Sequence, residues 1–80
     1  MNKTLGSKQQ KKLIAILIAK REKANMTQTE LAIVLGEYQS FIARLECGER
    51  RIDVVELIHL ARVMGFDASE VVREIEGIRE

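Results

Sequence analysis

Two short predicted helices joined by a tight turn, in residues 27–48, constrain the fold of this chain more than any other stretch. Thr27 is a suitable N-cap, and Glu30, three residues later, completes the pattern of a capping box. Apolar residues follow at helical spacing as far as Leu35. Gly36 comes next and can adopt the left-handed conformation that ends a helix. The pattern therefore predicts a helix that stops at this glycine.

A second apolar stripe follows the turn and ends at Gly48. Its members are Phe41, Ile42 and Leu45. This spacing predicts another helix over residues 39–47. In the helix before the turn, Ala32 is small enough to let two steeply crossed helices approach closely. Two short helices, a turn containing glycine and a small residue at the crossing describe a helix-turn-helix.

The rest of the chain predicts three more helices, so we expect an all-α domain of five helices with no second domain. Eighty residues are enough for one modest hydrophobic core. The further helices are predicted at residues 8–24, 54–64 and 68–77. Residues 1–7 are predicted to be a flexible tail, and residues 8–80 a single folded domain.

Local signals also predict how these helices begin and end. Asn25 tolerates the left-handed position that ends the first helix. Helices four and five both start with aspartate followed three residues later by glutamate, which predicts a capping box at each. The pairs are Asp53 with Glu56 and Asp67 with Glu70.

Helices four and five each carry an apolar stripe. The stripe predicted to be buried on helix four comprises Val54, Leu57, Ile58, Ala61 and Met64. The stripe on helix five comprises Val71, Val72, Ile75 and Ile78. Because this is much apolar surface for the last helix of so small a domain, we expect part of it to form a two-fold dimer interface with nearby residues of helix four.

The charge is divided unevenly along the chain. Residues 1–51 carry 10 Lys or Arg against 5 Asp or Glu, a balance of +5, whereas residues 52–80 carry 3 against 7, a balance of −4. One half can therefore face a polyanion while the other faces away. No apolar run is long enough to span a membrane, and no signal-peptide pattern is present. The single cysteine, Cys47, suits a reducing cytoplasm.

The outer face of the second helix of the motif has the chemistry to read DNA. Glutamine pairs bidentately with adenine and arginine with guanine, and a small residue allows close approach. The residues on this face are Gln39, Ser40, Ala43 and Arg44. Gln28 lies in the first turn of a helix, where backbone N–H groups favour a phosphate. Arg50 and Arg51 follow in a loop and are predicted to anchor phosphates, although adjacent arginines are often only solvated.

An enzymatic function is not expected. The usual candidates for a nucleophile or base are Cys47 and His59, and His59 is predicted to be exposed on helix four. The sequence shows no paired carboxylates, metal-ligand cluster or phosphate-binding loop. No cofactor or metal is therefore predicted.

The helix-turn-helix region resembles the Cro/cI-type regulators, the XRE family. The resemblance lies in Thr-Gln-x-Glu-Leu-Ala-x-x-Leu-Gly at 27–36 and Gln-Ser-x-Ile-x-Arg-x-Glu-x-Gly-x-Arg at 39–50, and it continues through 48–57. It implies a lambda-repressor-like domain of five helices in a prokaryotic or phage regulator. It also implies sequence-specific binding of double-stranded DNA by a small dimeric transcriptional regulator, such as a repressor, at an inverted-repeat operator.

The same resemblance implies roles for individual residues. Gln39, Ser40 and Arg44 would read bases, whereas Gln28 and Arg50 would hold phosphates. Gln28 would also brace Gln39. The family commonly has a partly buried salt bridge at the positions of two further residues, Arg21 and Glu46.

Three residues depart from the family pattern. Glu37 replaces an apolar turn residue, Tyr38 replaces a Ser or Thr cap, and Cys47 replaces a frequent Asn. Tyr38 could cover the turn with its ring or offer its hydroxyl to a phosphate. Cys47 could sense oxidation near DNA or simply fill a helix end. An alternative function is a protein-interaction module, such as the antitoxin of a toxin–antitoxin pair, with a toxin as its partner.

Overall fold

A computed structural model describes residues 6–79, which form five α-helices and no β-strand. The helices are α1 (Lys8–Lys23), α2 (Gln28–Leu35), α3 (Gln39–Glu46), α4 (Val54–Met64) and α5 (Ala68–Glu76). The all-α fold with five helices is therefore confirmed. Three predicted helices were one residue too long, because Ala24, Cys47 and Gly77 are C-cap residues. Of the predicted tail, residues 1–5 lie outside the described residues, and the Ser7 side chain caps α1 by accepting from the N–H of Gln10.

Most of the predicted helix ends are confirmed. Both hydrogen bonds of a capping box are present at the starts of α2 and α4. Asn25 has a φ of 57°, and Gly36 has a φ of 72°, so both adopt the left-handed conformation predicted after a helix. The predicted capping box of α5 is wrong, because the Asp67 carboxylate accepts from the N–H of Ser69. The ψ of Asp67 is 111°, against 170° at Asp53, and this turns the carboxylate towards the second N–H of the helix.

The core lies where the first four helices meet, with α2 packed on α3 and α4, and α1 packed on α3. Its buried members are Leu17, Leu31, Ala32, Ile42, Leu45, Leu57 and Leu60. Ala32 is among the most buried side chains, as expected of a small residue between closely packed helices. This core holds the two helices of the motif in a fixed relationship.

The buried stripe of α4 differs from the prediction. Its buried residues are Leu57, Leu60 and Ala61, whereas Val54 is 71% exposed and Ile58 is also exposed. Val54 is the first residue of the helix, and together with Ile58 it borders the groove between α4 and α5. An apolar side chain therefore does not by itself identify the inward face of this helix.

The four apolar residues of the predicted dimer interface on α5 and just beyond it occupy different environments. Val71 is buried in the core of its own chain, so it has no surface to offer a partner. Val72 is 46% exposed, and Ile75 and Ile78 are partly buried. The side-chain amide of Gln9 in α1 donates to the carbonyl oxygens of Ile75 at 3.2 Å and Ile78 at 3.3 Å. This cap ties the end of α5 to α1.

Candidate nucleic-acid interface

The outer face of α3 is polar and open to solvent. Gln39, Ser40 and Arg44 are exposed, and Ala43 between them is partly buried. These residues stand at positions i, i+1, i+4 and i+5, so they lie on one side of the helix. Ile42 and Leu45 face the other way and are buried in the core. The core therefore fixes the orientation of the polar face.

A chain of hydrogen bonds connects this face to α1. The salt bridge predicted between Arg21 and Glu46 is present, with 2.7 Å from Nε to Oε2 and 3.1 Å from Nη2 to Oε1. The amide of Gln28 donates to Oε1 of Glu46 at 2.9 Å, and the amide of Gln39 donates to Oε1 of Gln28 at 2.7 Å. Gln28 therefore contacts both the buried salt bridge and the first residue of α3.

The salt bridge is well shielded from solvent, with side-chain exposures of 15% for Arg21 and 7% for Glu46. The hydrogen bonds to Glu46 raise the pKa of Arg21 above its ordinary value. Nη1 of Arg21 also donates to the carbonyl oxygen of Met26 at 2.8 Å. One guanidinium thus joins α1 to the loop before α2 and to the end of α3.

The first turn of α2 contains backbone N–H groups that have no partner within the helix. Thr27 and Glu30 satisfy each other's backbone N–H groups through the capping box. Gln28 and Thr29 are the other residues of this first turn, and their N–H groups have no partner within the helix. The hydrogen bonds from Thr27 lower the pKa of Glu30, so this carboxylate stays charged beside the helix start. The negative charge of Glu30 would repel an anion, so an anion at this helix start is best placed near Gln28, away from Glu30.

Arg50 does not stand free in its loop. Its guanidinium donates to both carboxylate oxygens of Glu56, at 3.0 and 2.6 Å, and to the carbonyl oxygen of Arg51 at 2.8 Å. It also lies over the ring of Phe41, 4.3 Å from the ring centre. The pairing with Glu56 raises the pKa of Arg50 and lowers that of Glu56. The positive charge predicted to anchor a phosphate is thus already balanced, and a phosphate role for Arg50 stays a prediction.

The partner of Arg50 was missed because Glu56 already had a role as the capping residue of α4. The structure shows that Glu56 does both, since Oε1 also accepts from the N–H of Asp53 at 3.0 Å. The only signal in the sequence is the spacing of six residues across a short loop, which does not specify a contact.

Other candidate residues remain accessible. Arg51 and Arg44 are exposed, and within residues 6–79 neither side chain forms an ion pair. Tyr38 is 83% exposed, so its ring does not cover the turn, and it makes no side-chain hydrogen bond as the N-cap of α3. The exposed Cys47 sits at the end of α3 with its Sγ 3.5 Å from the carbonyl oxygen of Arg44.

The described part of the chain offers little for other kinds of chemistry. Across residues 6–79, no three side chains of His, Cys, Asp or Glu come together as a metal site. His59 is exposed on α4, as predicted. None of the described helices combines the length and the apolar content needed to cross a membrane.

Comparison with known proteins matches this arrangement to a known family. A family model described as helix-turn-helix matches residues 17–71. The chain belongs to the XRE-type helix-turn-helix family. Among solved structures, it is similar to an XRE-family like protein from Pseudomonas syringae pv. tomato str. DC3000. The two are 35% identical with a TM-score of 0.81, over 90% of this chain and 88% of that chain. No curated protein sequence gives a match.

Membership of the XRE-type family makes this a DNA-binding regulatory domain and not an enzyme. The matched residues begin in the middle of α1 and end in α5, so they include both helices of the motif and the core beneath them. The comparisons do not favour the antitoxin alternative.

Proposed function

We propose that this XRE-type protein binds double-stranded DNA sequence-specifically as a small dimeric transcriptional regulator, with α3 in the major groove. The observation that carries the proposal is the exposed polar face of α3, braced at Gln39 by Gln28. Holding a reading side chain in place before DNA arrives reduces the entropy lost on binding. A helix of this kind is the usual element for reading base edges in the major groove.

Each residue of this face suits a particular contact. Gln39 can bond the N6 and N7 atoms of adenine, and Arg44 can bond the O6 and N7 atoms of guanine. Ser40 can serve a base edge or a phosphate, and Ala43 leaves room for the methyl group of thymine. Together these residues would distinguish a few base pairs in each half-site.

The phosphate backbone would be held on both sides of α3. On one side, the first turn of α2 offers N–H groups that have no partner within the helix, together with the N–H of the Gln28 amide that is not donated to Glu46. On the other side, Arg51 is exposed in the loop after α3, and Tyr38 is exposed at the start of α3. Such contacts position the protein and supply affinity that does not depend on sequence.

Dimerisation is proposed through the groove between α4 and α5. Exposed apolar side chains border this groove, although seven of the twelve acidic residues lie in this half of the chain. They are Val54, Ile58 and Val72. A two-fold dimer would bury them and place two α3 helices on half-sites about one helical turn apart, which favours an inverted-repeat operator. The dimer also multiplies the modest specificity of one short helix.

We further propose that the protein acts as a repressor on the DNA of a prokaryotic cell or phage, in the cytoplasm at the nucleoid. A domain of this size on an operator excludes other proteins simply by occupying the DNA. Genome-wide mapping of bound sites, with transcript levels measured after depletion, tests this. Higher transcript levels at the bound sites after depletion are expected, and lower levels would show an activator instead.

Selection of bound fragments from a random pool of double-stranded DNA tests the main proposal. We expect an enriched inverted repeat whose half-sites lie about one helical turn apart. Arg44→Ala should lose preference at one base pair in each half-site, whereas Arg62→Ala, an exposed position on α4 that does not line the groove, should leave the repeat unchanged. Enrichment of no sequence would contradict sequence-specific binding.

Sedimentation at tens of micromolar, with and without DNA, tests the dimer. The wild type is expected to sediment as a dimer, and Val72→Asp as a monomer, because a charge would be buried in the groove. Val34→Asp is the matched control, since Val34 is an exposed valine on α2, away from the groove. A monomeric wild type under both conditions would contradict the dimer.

A further inference from the structure

The amide of Gln39 points in a direction that the buried salt bridge dictates. We propose that Glu46 is a positioning residue for base specificity, which acts through Gln28 to make Gln39 select adenine over guanine. This inference rests on the proposed function, because it concerns how α3 would read a base.

The order of donors and acceptors begins at Glu46. A carboxylate can only accept hydrogen bonds. The Glu46 carboxylate accepts two from Arg21 and one from the amide nitrogen of Gln28. A glutamine side chain has one oxygen and one nitrogen on opposite sides of the same carbon, so when its nitrogen faces Glu46, its oxygen must face away. The orientation of the Gln28 amide is therefore set by chemistry and not by packing alone.

The orientation of the Gln28 amide in turn fixes that of the Gln39 amide. The oxygen of Gln28 can only accept, so the group that Gln39 turns towards it must be the amide nitrogen, as observed at 2.7 Å. One of the two N–H groups of Gln39 is then occupied. Gln39 has one N–H and its carbonyl oxygen left for the groove, and its exposed position at the start of α3 leaves both accessible.

This remaining pair of groups discriminates between the two purines. Adenine presents an acceptor at N7 and a donor at N6, which match one N–H and one carbonyl oxygen. Guanine presents acceptors at both N7 and O6, so the carbonyl oxygen of Gln39 would face another acceptor. A glutamine free to rotate could turn both N–H groups towards guanine, but the bond to Gln28 prevents this.

We call Glu46, Gln28 and Gln39 the relay. Its effect on base preference can be separated from its effect on stability with variants that change the salt bridge or the relay one at a time. Glu46→Gln replaces an acceptor with an amide that can present either end to Gln28. Arg21→Lys weakens the same salt bridge but keeps the carboxylate. Gln28→Met changes a partly exposed side chain, leaves the salt bridge intact and removes the middle of the relay. Gln39→Ala identifies the base pair that Gln39 reads.

The experiment selects DNA from a random pool with each variant and then measures the affinities for sites with adenine or guanine at the identified base pair. We expect Glu46→Gln and Gln28→Met to lower the adenine preference there about tenfold. Arg21→Lys should keep that preference even if its overall affinity falls. Equal weakening of both sites by Glu46→Gln, with the preference unchanged, would overturn the relay, as would a wild type that prefers another base at this position.

A second measurement distinguishes failure of the relay from failure of the proposed function. In NMR spectra of the DNA-free protein, one side-chain N–H proton each of Gln28 and Gln39 should be shifted and slow to exchange. Glu46→Gln should remove both signatures, and Arg21→Lys should retain them. Absence of these signatures in the wild type overturns the relay whatever the DNA result. If they are present but the wild type selects no sequence, the hydrogen bonds stand, and the proposed function and the base-reading role fail together.

Discussion

Glu46 depends on Arg21 because its carboxylate is almost wholly shielded from water. Removing one partner of a buried pair leaves the other charge uncompensated, which typically costs about 3 kcal/mol or more. We therefore expect Glu46→Ala to lower the free energy of unfolding by about 3 kcal/mol and to reduce the melting temperature. Glu49→Ala removes the same charge from an exposed position nearby and should change stability by less than about 0.5 kcal/mol. An unchanged melting temperature in Glu46→Ala would rule out a structural role for the pair.

Glu56 links stability to pH. Its pKa is lowered in the folded state, chiefly by hydrogen bonds from Arg50. A group with a lowered pKa contributes its full stability above the unfolded pKa, about 4.3 for glutamate, and loses it as the pH falls through the folded pKa. We expect Glu56→Gln to lower the free energy of unfolding by about 1 kcal/mol at pH 7, and by less below about pH 4.

Urea denaturation of the wild type and Glu56→Gln at pH 7, 5 and 3.5 measures this difference. Glu70→Gln serves as a control, because Glu70 is an exposed glutamate in the first turn of α5 that does not complete a capping box there. If the difference in the free energy of unfolding between the wild type and Glu56→Gln stays constant from pH 7 to 3.5, the contribution of Glu56 is not linked to its pKa.

The pairing of side chains distant in the sequence was predictable only where a family pattern supplied it. Arg21 and Glu46 are 25 residues apart, and no periodicity in the sequence links them. Their pairing was expected from the resemblance alone. Arg50 was expected to hold a phosphate, both from its place in the loop and from the resemblance, but its partner Glu56 comes from a loop geometry that the sequence pattern does not encode.

At the scale of the helices, the residues at which helices begin and end were predicted better than the residues that each helix buries. A cap depends on three or four consecutive residues, so the signals at Thr27, Asp53 and Gly36 are local and strong. The buried face of α4 depends on how the helix is rotated against its neighbours. Val54 and Ile58 fit a helical stripe as well as the truly buried residues do, and only tertiary packing decides between them.

The turn between α2 and α3 can be tested through its glycine. Gly36 has a φ of 72° and no atom within 4 Å of the position a Cβ would take, so any penalty there is purely conformational. Gly36→Ala should therefore lower the free energy of unfolding by about 1 kcal/mol.

Gly77→Ala is the matched control, because Gly77 has a φ of −75° and an added Cβ would make only an ordinary contact with the carbonyl oxygen of Glu74. This second substitution should be neutral or slightly stabilising. Equal effects of the two substitutions in thermal denaturation would contradict a role for the left-handed conformation.

At the scale of the whole molecule, the division of charge along the chain follows the division into helices. The basic first 51 residues include α1, α2, α3 and the loop with Arg51, whereas the acidic remainder forms α4 and α5. The net charge of +1 is therefore the sum of a basic part, residues 1–51, which is suited to a polyanion, and an acidic part, residues 52–80. The Glu56 carboxylate, from the acidic half, reaches across and balances Arg50 of the basic half. Neither the composition nor the order of charges along the chain predicts this ion pair between the two halves.

Salt dependence of DNA binding separates the two neighbouring arginines. If six phosphates are neutralised per dimer, the logarithm of the binding constant should fall with the logarithm of salt concentration with a slope of about −5. Arg51 is exposed, so Arg51→Ala should remove one neutralised phosphate per protomer and make the slope shallower by about 2. Arg50→Ala should instead lower the melting temperature and leave the slope near −5, because its charge is already paired with Glu56 and stacked on Phe41.

Titration of a fixed operator at several salt concentrations with Arg51→Ala, Arg50→Ala and the control Arg62→Ala measures these slopes. Arg62 is an exposed arginine on α4 in the acidic half and does not line the proposed dimer groove, so its loss tests whether net charge alone changes the slope. A shallower slope for Arg50→Ala would show that DNA draws its guanidinium away from Glu56. A slope unchanged in Arg51→Ala would remove that arginine from the phosphate-binding surface. Arg50 and Arg51 are adjacent and carry equal charge. A difference between the slopes of the two variants would therefore reflect their different contacts in the fold, because Arg50 is paired with Glu56 and Arg51 is exposed.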